Sequence, residues 1–120
     1  MRQTLTINTT MHKYTVTTET GLFFRLGRLI SDLYPGRKVV VITDDRVREL
    51  YEDPLKKQMD DADIEWKLIS LPQGEESKAF NVLPRLYGEL LDFQMARDDL
   101  ILAFGGGGIC DIAGFTAATF

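Results

Sequence analysis

Leu100-Ile-Leu-Ala-Phe104, Gly105-Gly-Gly-Gly108 and Ile109-Cys110-Asp111-Ile112-Ala-Gly114-Phe115 follow one another without a break in this 120-residue chain. An uninterrupted apolar run reads as a strand buried on both faces, the pattern of parallel sheets. The glycines then strip the chain of side chains, and the small and apolar residues after them suit a helix. A strand, a bare turn and a helix start make a place where an anion can lie on backbone N–H groups. Everything upstream is expected to be the sheet that supports that turn.

Working outward, Ile64–Leu71 and Lys38–Thr43 are two more apolar strands, the latter running straight into Asp44-Asp45. Between strands, apolar residues recur at helical spacing: Leu22 to Leu33, Val47 to Met59, and Phe80 to about Phe93. Pro54 is expected to split or loosen the second of these helices and Pro84 to kink the third. Pro72–Lys78 reads as a turn with Ser77 as a helix cap. At the start, Thr4–Asn8 and Tyr14–Thr18 alternate polar with apolar residues, which predicts an antiparallel pair joined around Met11-His12-Lys13. Strands alternating with helices predict one α/β domain: a Rossmann-like parallel sheet flanked by helices, preceded by an antiparallel strand pair.

The composition, 44% hydrophobic and 27% charged, is that of a soluble globular domain. A net charge of −4 leaves no basic footprint for nucleic acid. No run nears the roughly 20 apolar residues of a membrane span. The one cysteine cannot form an internal disulfide. With no signal-peptide pattern at the N-terminus, the cytoplasm is the expected compartment.

In open α/β sheets, ligands sit beyond the carboxyl ends of the strands. Three polar clusters fall there: Asp44, the Gln73–Lys78 segment, and Gly105–Asp111. The glycines permit positive φ angles and close ligand approach, and the helix start favours a phosphate. Asp44 and Asp111 offer acceptors for ribose hydroxyls, and Glu75 with Lys78 can fix a ribose or nicotinamide end. Together these suit a dinucleotide. The G-x-G-x-x-G pattern fails, however, since its last position falls on Cys110 or Asp111. A P-loop is excluded because no Lys-Ser/Thr pair follows the glycines. A bare glycine run can equally be a tight helix–strand crossing.

These motifs resemble those of 3-dehydroquinate synthase, a sugar-phosphate cyclase of the shikimate pathway of aromatic amino acid biosynthesis. Gly105-Gly-Gly-x-x-x-Asp111-x-x-Gly114-Phe115-x-Ala117-Ala118-Thr119 is similar to the family signature. Pro72-x-Gly74-Glu75-x-x-Lys78 resembles its second NAD motif, and Val41-Ile-Thr-Asp44 the strand whose closing aspartate holds the adenosine ribose. Two positions depart from the family's pattern: Gly108, where an aliphatic residue is usual, and Cys110, where a small residue is. The resemblance implies NAD bound by Asp44, Gly74, Glu75, Lys78, Gly105, Gly106, Gly107, Gly108 and Asp111. It implies conversion of the phosphorylated sugar acid 3-deoxy-D-arabino-heptulosonate 7-phosphate to 3-dehydroquinate and phosphate. In the family a second domain supplies a divalent metal, zinc or cobalt, and most substrate contacts. Residues 1–120 would then be the NAD-binding N-terminal domain, holding no catalytic or metal residue and inactive alone. A homodimer or self-association is expected, because the face covered by that domain would lie open. The glycine motif alone is shared with related cyclases and polyol dehydrogenases, and a non-catalytic NAD-binding module is the reading from a different class.

Bland roles stand beside these. His12 reads as a solvated turn residue, Cys110 as a packed small residue, Trp66 as core, and Asp60-Asp61-Asp63 as a solvated helix end. Glu75 with Lys78 can be a helix-start charge pair, and Asp44 can simply cap the next helix.

Overall fold

The computed structural model describes residues 2–8, 13–19, 22–73 and 79–120, with side chains left out of account over most of the first two segments and at residues 79 and 80. The first strands are β1 (Arg2–Asn8) and β2 (Lys13–Glu19), paired antiparallel from Arg2 opposite Glu19 to Asn8 opposite Lys13. Thr4 and Thr6 of β1 are exposed, as alternation predicts. The turn expected at Met11-His12 lies outside the described residues. A 3₁₀ turn (Leu22–Arg25) leads into α1 (Leu26–Leu33), whose C-cap is Tyr34, with Gly36 at φ +73° in the turn that follows.

The remaining elements are β3 (Val39–Asp44), α2 (Asp45–Asp61), β4 (Trp66–Leu71), α3 (Ala79–Asp92), β5 (Leu100–Ala103) and α4 (Gly107–Thr119). The three strands form a parallel sheet in the order β4-β3-β5, with β3 at its centre. Val39, Val40, Val41 and Ile42 are fully buried, each contributing about 1.5–3 kcal/mol of hydrophobic stabilisation. They alternate between two cores. Val39 and Val41 join Ile30, Leu55 and Met59 on the side of α1 and α2. Val40 and Ile42 join Leu86, Leu90, Ile109 and Ile112 on the side of α3 and α4. The two connections from strand to strand run in opposite directions across the sheet. A common right-handed crossover then requires α2 and α3 to lie on opposite faces, as they do.

Three expectations are corrected. Pro54 neither splits nor ends α2, which is continuous through it. Proline frees the carbonyl four residues earlier, here that of Leu50, and both residues are exposed, so water can take the lost partner's place. The glycine-bearing strand is half-buried along its length instead of buried on both faces, because β5 is an edge of the sheet and β3 its centre. The strand before α3 begins at Trp66, with Ile64 N–H closing on Met59 O in the preceding turn. Trp66 packs against the α1–α2 core, partly buried.

Two glycines yield a paired prediction. A Cβ on Gly27 would stand 2.1 Å from the main-chain oxygen of Gln58, whose side chain also receives the Gly27 N–H and donates to Phe24 O. Gly27→Ala must therefore push α1 off α2 and is expected to lose about 1–3 kcal/mol. Gly88, inside α3, has nothing within 4 Å of its missing Cβ. Gly88→Ala is expected to gain about 0.5–1 kcal/mol. Denaturant midpoints of the two variants moving the same way would refute this packing.

Candidate functional site

Adjacent strands whose following helices leave to opposite faces open a crevice at their carboxyl ends. Here those strands are β3 and β5: α2 packs on one face of the sheet and α4 on the other. The pairing of Ile42 with Ala103 places Asp44 beside the start of the glycine turn. On its other side Asp44 pairs with Leu71, after which the chain enters the Gln73–Lys78 segment. Asp44, the start of the glycine turn and the end of β4 are thus at one end of one sheet. Gly74, Glu75 and Lys78, with the Ser77 cap, lie outside the described residues.

Asp44 takes the bland role at least in part. It is the N-cap of α2, in extended conformation, and its Oδ1 accepts from Val47 N–H at 2.8 Å. One oxygen is thereby engaged, and the carboxylate sits half-buried at the mouth of the crevice. The next residue, Asp45, carries no family motif, yet its Oδ1 accepts from the hydroxyl of Ser70 at the end of β4. Arg85 on α3 reaches the carbonyl of the same serine at 3.2 Å. Its Nε also lies 3.4 Å from Glu89, so the guanidinium ties α3 to the strand end.

The glycines divide the work among them. A Cβ on Gly105 would meet the Ile109 side chain at 3.2 Å, the close crossing that a glycine run can mark. Gly106 is the N-cap of α4, and Gly106 and Gly107 have nothing within 4 Å of a missing Cβ. The freedom of glycine to take positive φ is not used at the turn: Gly106 has φ −78°, and among the described glycines a positive φ occurs at Gly36. What these residues provide is bare surface. The first N–H groups of a helix have no partner within it, and Gly106 brings no side chain to cap them. The intrahelical ladder starts with Cys110 N–H on Gly106 O at 3.0 Å. Gly108 and Ile109 complete the first turn. Asp111 follows it, exposed. Cys110 is exposed too, not packed as expected, since Ile109, Ile112 and Ala113 take the core-facing positions of α4.

An aromatic group unforeseen in the sequence anchors the end of β5. The Phe104 ring stacks on Phe23 at 5.5 Å and meets Tyr51 of α2 edge-on at 5.6 Å. Its members come from three elements far apart in the chain, so no local spacing signals it. On the outer side of α2, Arg48 Nε lies 2.8 Å from Glu52, and this hydrogen bond holds the Glu52 carboxyl below its usual range. That pair supports the helix surface. Among the described residues no three His, Cys, Asp or Glu side chains gather as a metal site, and no helix is long and apolar enough to cross a membrane.

Comparison with known proteins finds the family that the motifs resemble. Residues 68–120 match the family model described as 3-dehydroquinate synthase N-terminal. The chain is 41% identical over 107 residues to a 3-dehydroquinate synthase of Clostridium botulinum, covering 89% of this chain and 31% of that protein. It is 38% identical over 118 residues to the enzyme of Clostridium acetobutylicum (98% and 33%) and 36% over 116 to that of Enterococcus faecalis (97% and 32%). The chain spans about a third of the length of the curated relatives it matches, and the likeness runs along nearly all of it.

The two functions available to Asp44 can be separated. Asp44→Ala removes the cap and is expected to cost about 1 kcal/mol, whereas Asp44→Asn, which caps equally well, should stay within a few tenths. Equal losses in chemical denaturation would mean that the cap is not what Asp44 contributes to stability.

Proposed function

We propose that this chain is the NAD-binding portion of a 3-dehydroquinate synthase. The observation that carries the reading is the uncapped glycine start of α4 at the crevice between β3 and β5, beside Asp44. The similarity to enzymes of that name over 89–98% of the chain supports it. In this reading the whole protein converts 3-deoxy-D-arabino-heptulosonate 7-phosphate to 3-dehydroquinate and phosphate.

The residues present fit a dinucleotide. Open space over Gly106 and Gly107 admits a pyrophosphate to the main chain, and the helix dipole favours its charge by about 0.3–1 kcal/mol per anionic contact. The N–H groups of Gly107, Gly108 and Ile109 hold the phosphates, with Gly105 and Gly106 shaping the approach. Asp44 accepts from the adenosine ribose with the oxygen not engaged by Val47, and Asp111 accepts from the nicotinamide ribose. Gly74, Glu75 and Lys78, the residues of the second NAD motif, supply further contacts, fixing a ribose or the nicotinamide end. When bound, NAD supplies reversible oxidation of a substrate alcohol and is recovered within each turnover. The chain's own contribution is orientation and electrostatics.

Residues 1–120 form the cofactor domain in this proposal. A divalent metal, zinc or cobalt, and the substrate contacts belong to the remainder of an enzyme of the relatives' length. The compartment is cytoplasmic. Exposed Leu91, Phe115 and Phe120 on α3 and α4, at 45–66%, leave apolar surface that favours self-association or a homodimer.

Calorimetric titration is expected to show one saturable NAD site, lost in Asp111→Ala. Failure to bind both in this chain and in one extended to the relatives' length would overturn the function. Light scattering at rising concentration should show mass growth beyond the monomer. A constant monomer mass would sink the self-association.

A further inference from the structure

The next-to-last row of the β3–β4 pairing carries two buried hydroxyls, and their bonds run to the two structures that frame the crevice. Thr43 and Ser70 stand opposite one another in the β3–β4 register and are 1% and 8% exposed. Ser70 serves Asp45 and the start of α2. Thr43 donates in the other direction, across to the Phe104 carbonyl. An apolar β-branched residue would fill that position equally well, as Val39 to Ile42 do in the preceding rows, so packing alone does not call for the hydroxyl.

The carbonyl it holds belongs to the peptide that joins Phe104 to Gly105. A peptide unit is planar, so fixing its oxygen also fixes the direction of the Gly105 N–H and the plane from which the turn departs. Phe104 N–H is held by Ile42 O at 2.9 Å, and its ring by Phe23 and Tyr51. After it come four glycines in succession without side chains to anchor them. The last fixed point before the bare turn is therefore the bond from Thr43.

We infer that Thr43 is a positioning residue for the glycine turn. By holding the Phe104 carbonyl, its hydroxyl sets where the N–H groups at the start of α4 stand to receive a dinucleotide pyrophosphate. The identity of the ligand rests on the function proposed above; the hold on the turn does not.

The test combines ¹⁵N-NMR of the glycine amides with NAD titration in the unaltered chain, Thr43→Val, Thr43→Ser and Ser70→Ala. Thr43→Val is expected to move the Gly105, Gly106 and Gly107 resonances and to weaken NAD binding roughly tenfold, with Thr43→Ser restoring both. Ser70→Ala loses a buried hydroxyl from the same row but should leave the glycine resonances in place. Glycine resonances unmoved by Thr43→Val, or moved as far by Ser70→Ala, would overturn the inference. Should Thr43→Val not fold, Thr43→Cys, of similar size with a weak donor, takes its place with the same expected shifts. No NAD binding by the unaltered chain or by one extended to the relatives' length, with Thr43→Val alone moving the glycines, would fell the dinucleotide reading and leave the positioning role standing.

Discussion

The crevice depends on the hand of the crossovers. From β3 the chain passes through α2 to one neighbouring strand. From that strand it returns through α3, past β3, to the other edge of the sheet. Reversing direction while keeping a right-handed connection moves the covering helix to the opposite face. Helices α2 and α4 therefore diverge from adjacent strands, and their amino ends face a common gap. No residue of the site has to create that gap. The site residues have only to keep it unfilled and to line it with acceptors and N–H groups.

Keeping it unfilled is the work of glycine, and the four in succession are not equivalent. Gly105 is constrained from below, where a Cβ would crowd the Ile109 side chain at 3.2 Å. Gly106 and Gly107 are unconstrained by the protein, and in ordinary backbone geometry an alanine would stand there without strain. Residues that fold does not require at a position are explained by what approaches from outside. The same logic separates Asp44 from Asp111. The first has a structural partner in Val47 N–H, while the second is exposed on a helix that does not need its charge.

Much of this was legible in the sequence because it depends on local period. The valines of β3, the helical spacing of α1, α2 and α3, and the strand–glycine–helix succession each specify their own element. What escaped was whatever depends on position in the assembled sheet. Leu100–Phe104 is as apolar as Val39–Ile42, yet only the latter is central, and strand order is not written in either run. Pro54 is tolerated because it and Leu50 face water, a property of the helix's orientation. Cys110 is exposed because Ile109 and Ile112 point inward, a choice of phase along a helix apolar nearly all round. Asp45, Ser70 and Thr43 looked unremarkable because their bonds join strands and helices 25 to 61 residues apart.

Those cross-strand bonds also explain how the crevice can be assembled from a short contiguous length of chain. Each of its walls is a strand end, and three polar bonds tie the ends of β3 and β4 to the start of α2 or to the chain after β5. Asp44 is tied to Val47, Ser70 to Asp45, and Thr43 to Phe104. Such bonds contribute about 0.5–1.5 kcal/mol each when made, but leaving a buried partner unsatisfied costs about 1–3. The asymmetry makes them better at selecting one geometry than at adding stability. A crevice walled largely by bare main chain needs that selection more than most, because it has few side chains that could reorient to correct a misplaced backbone.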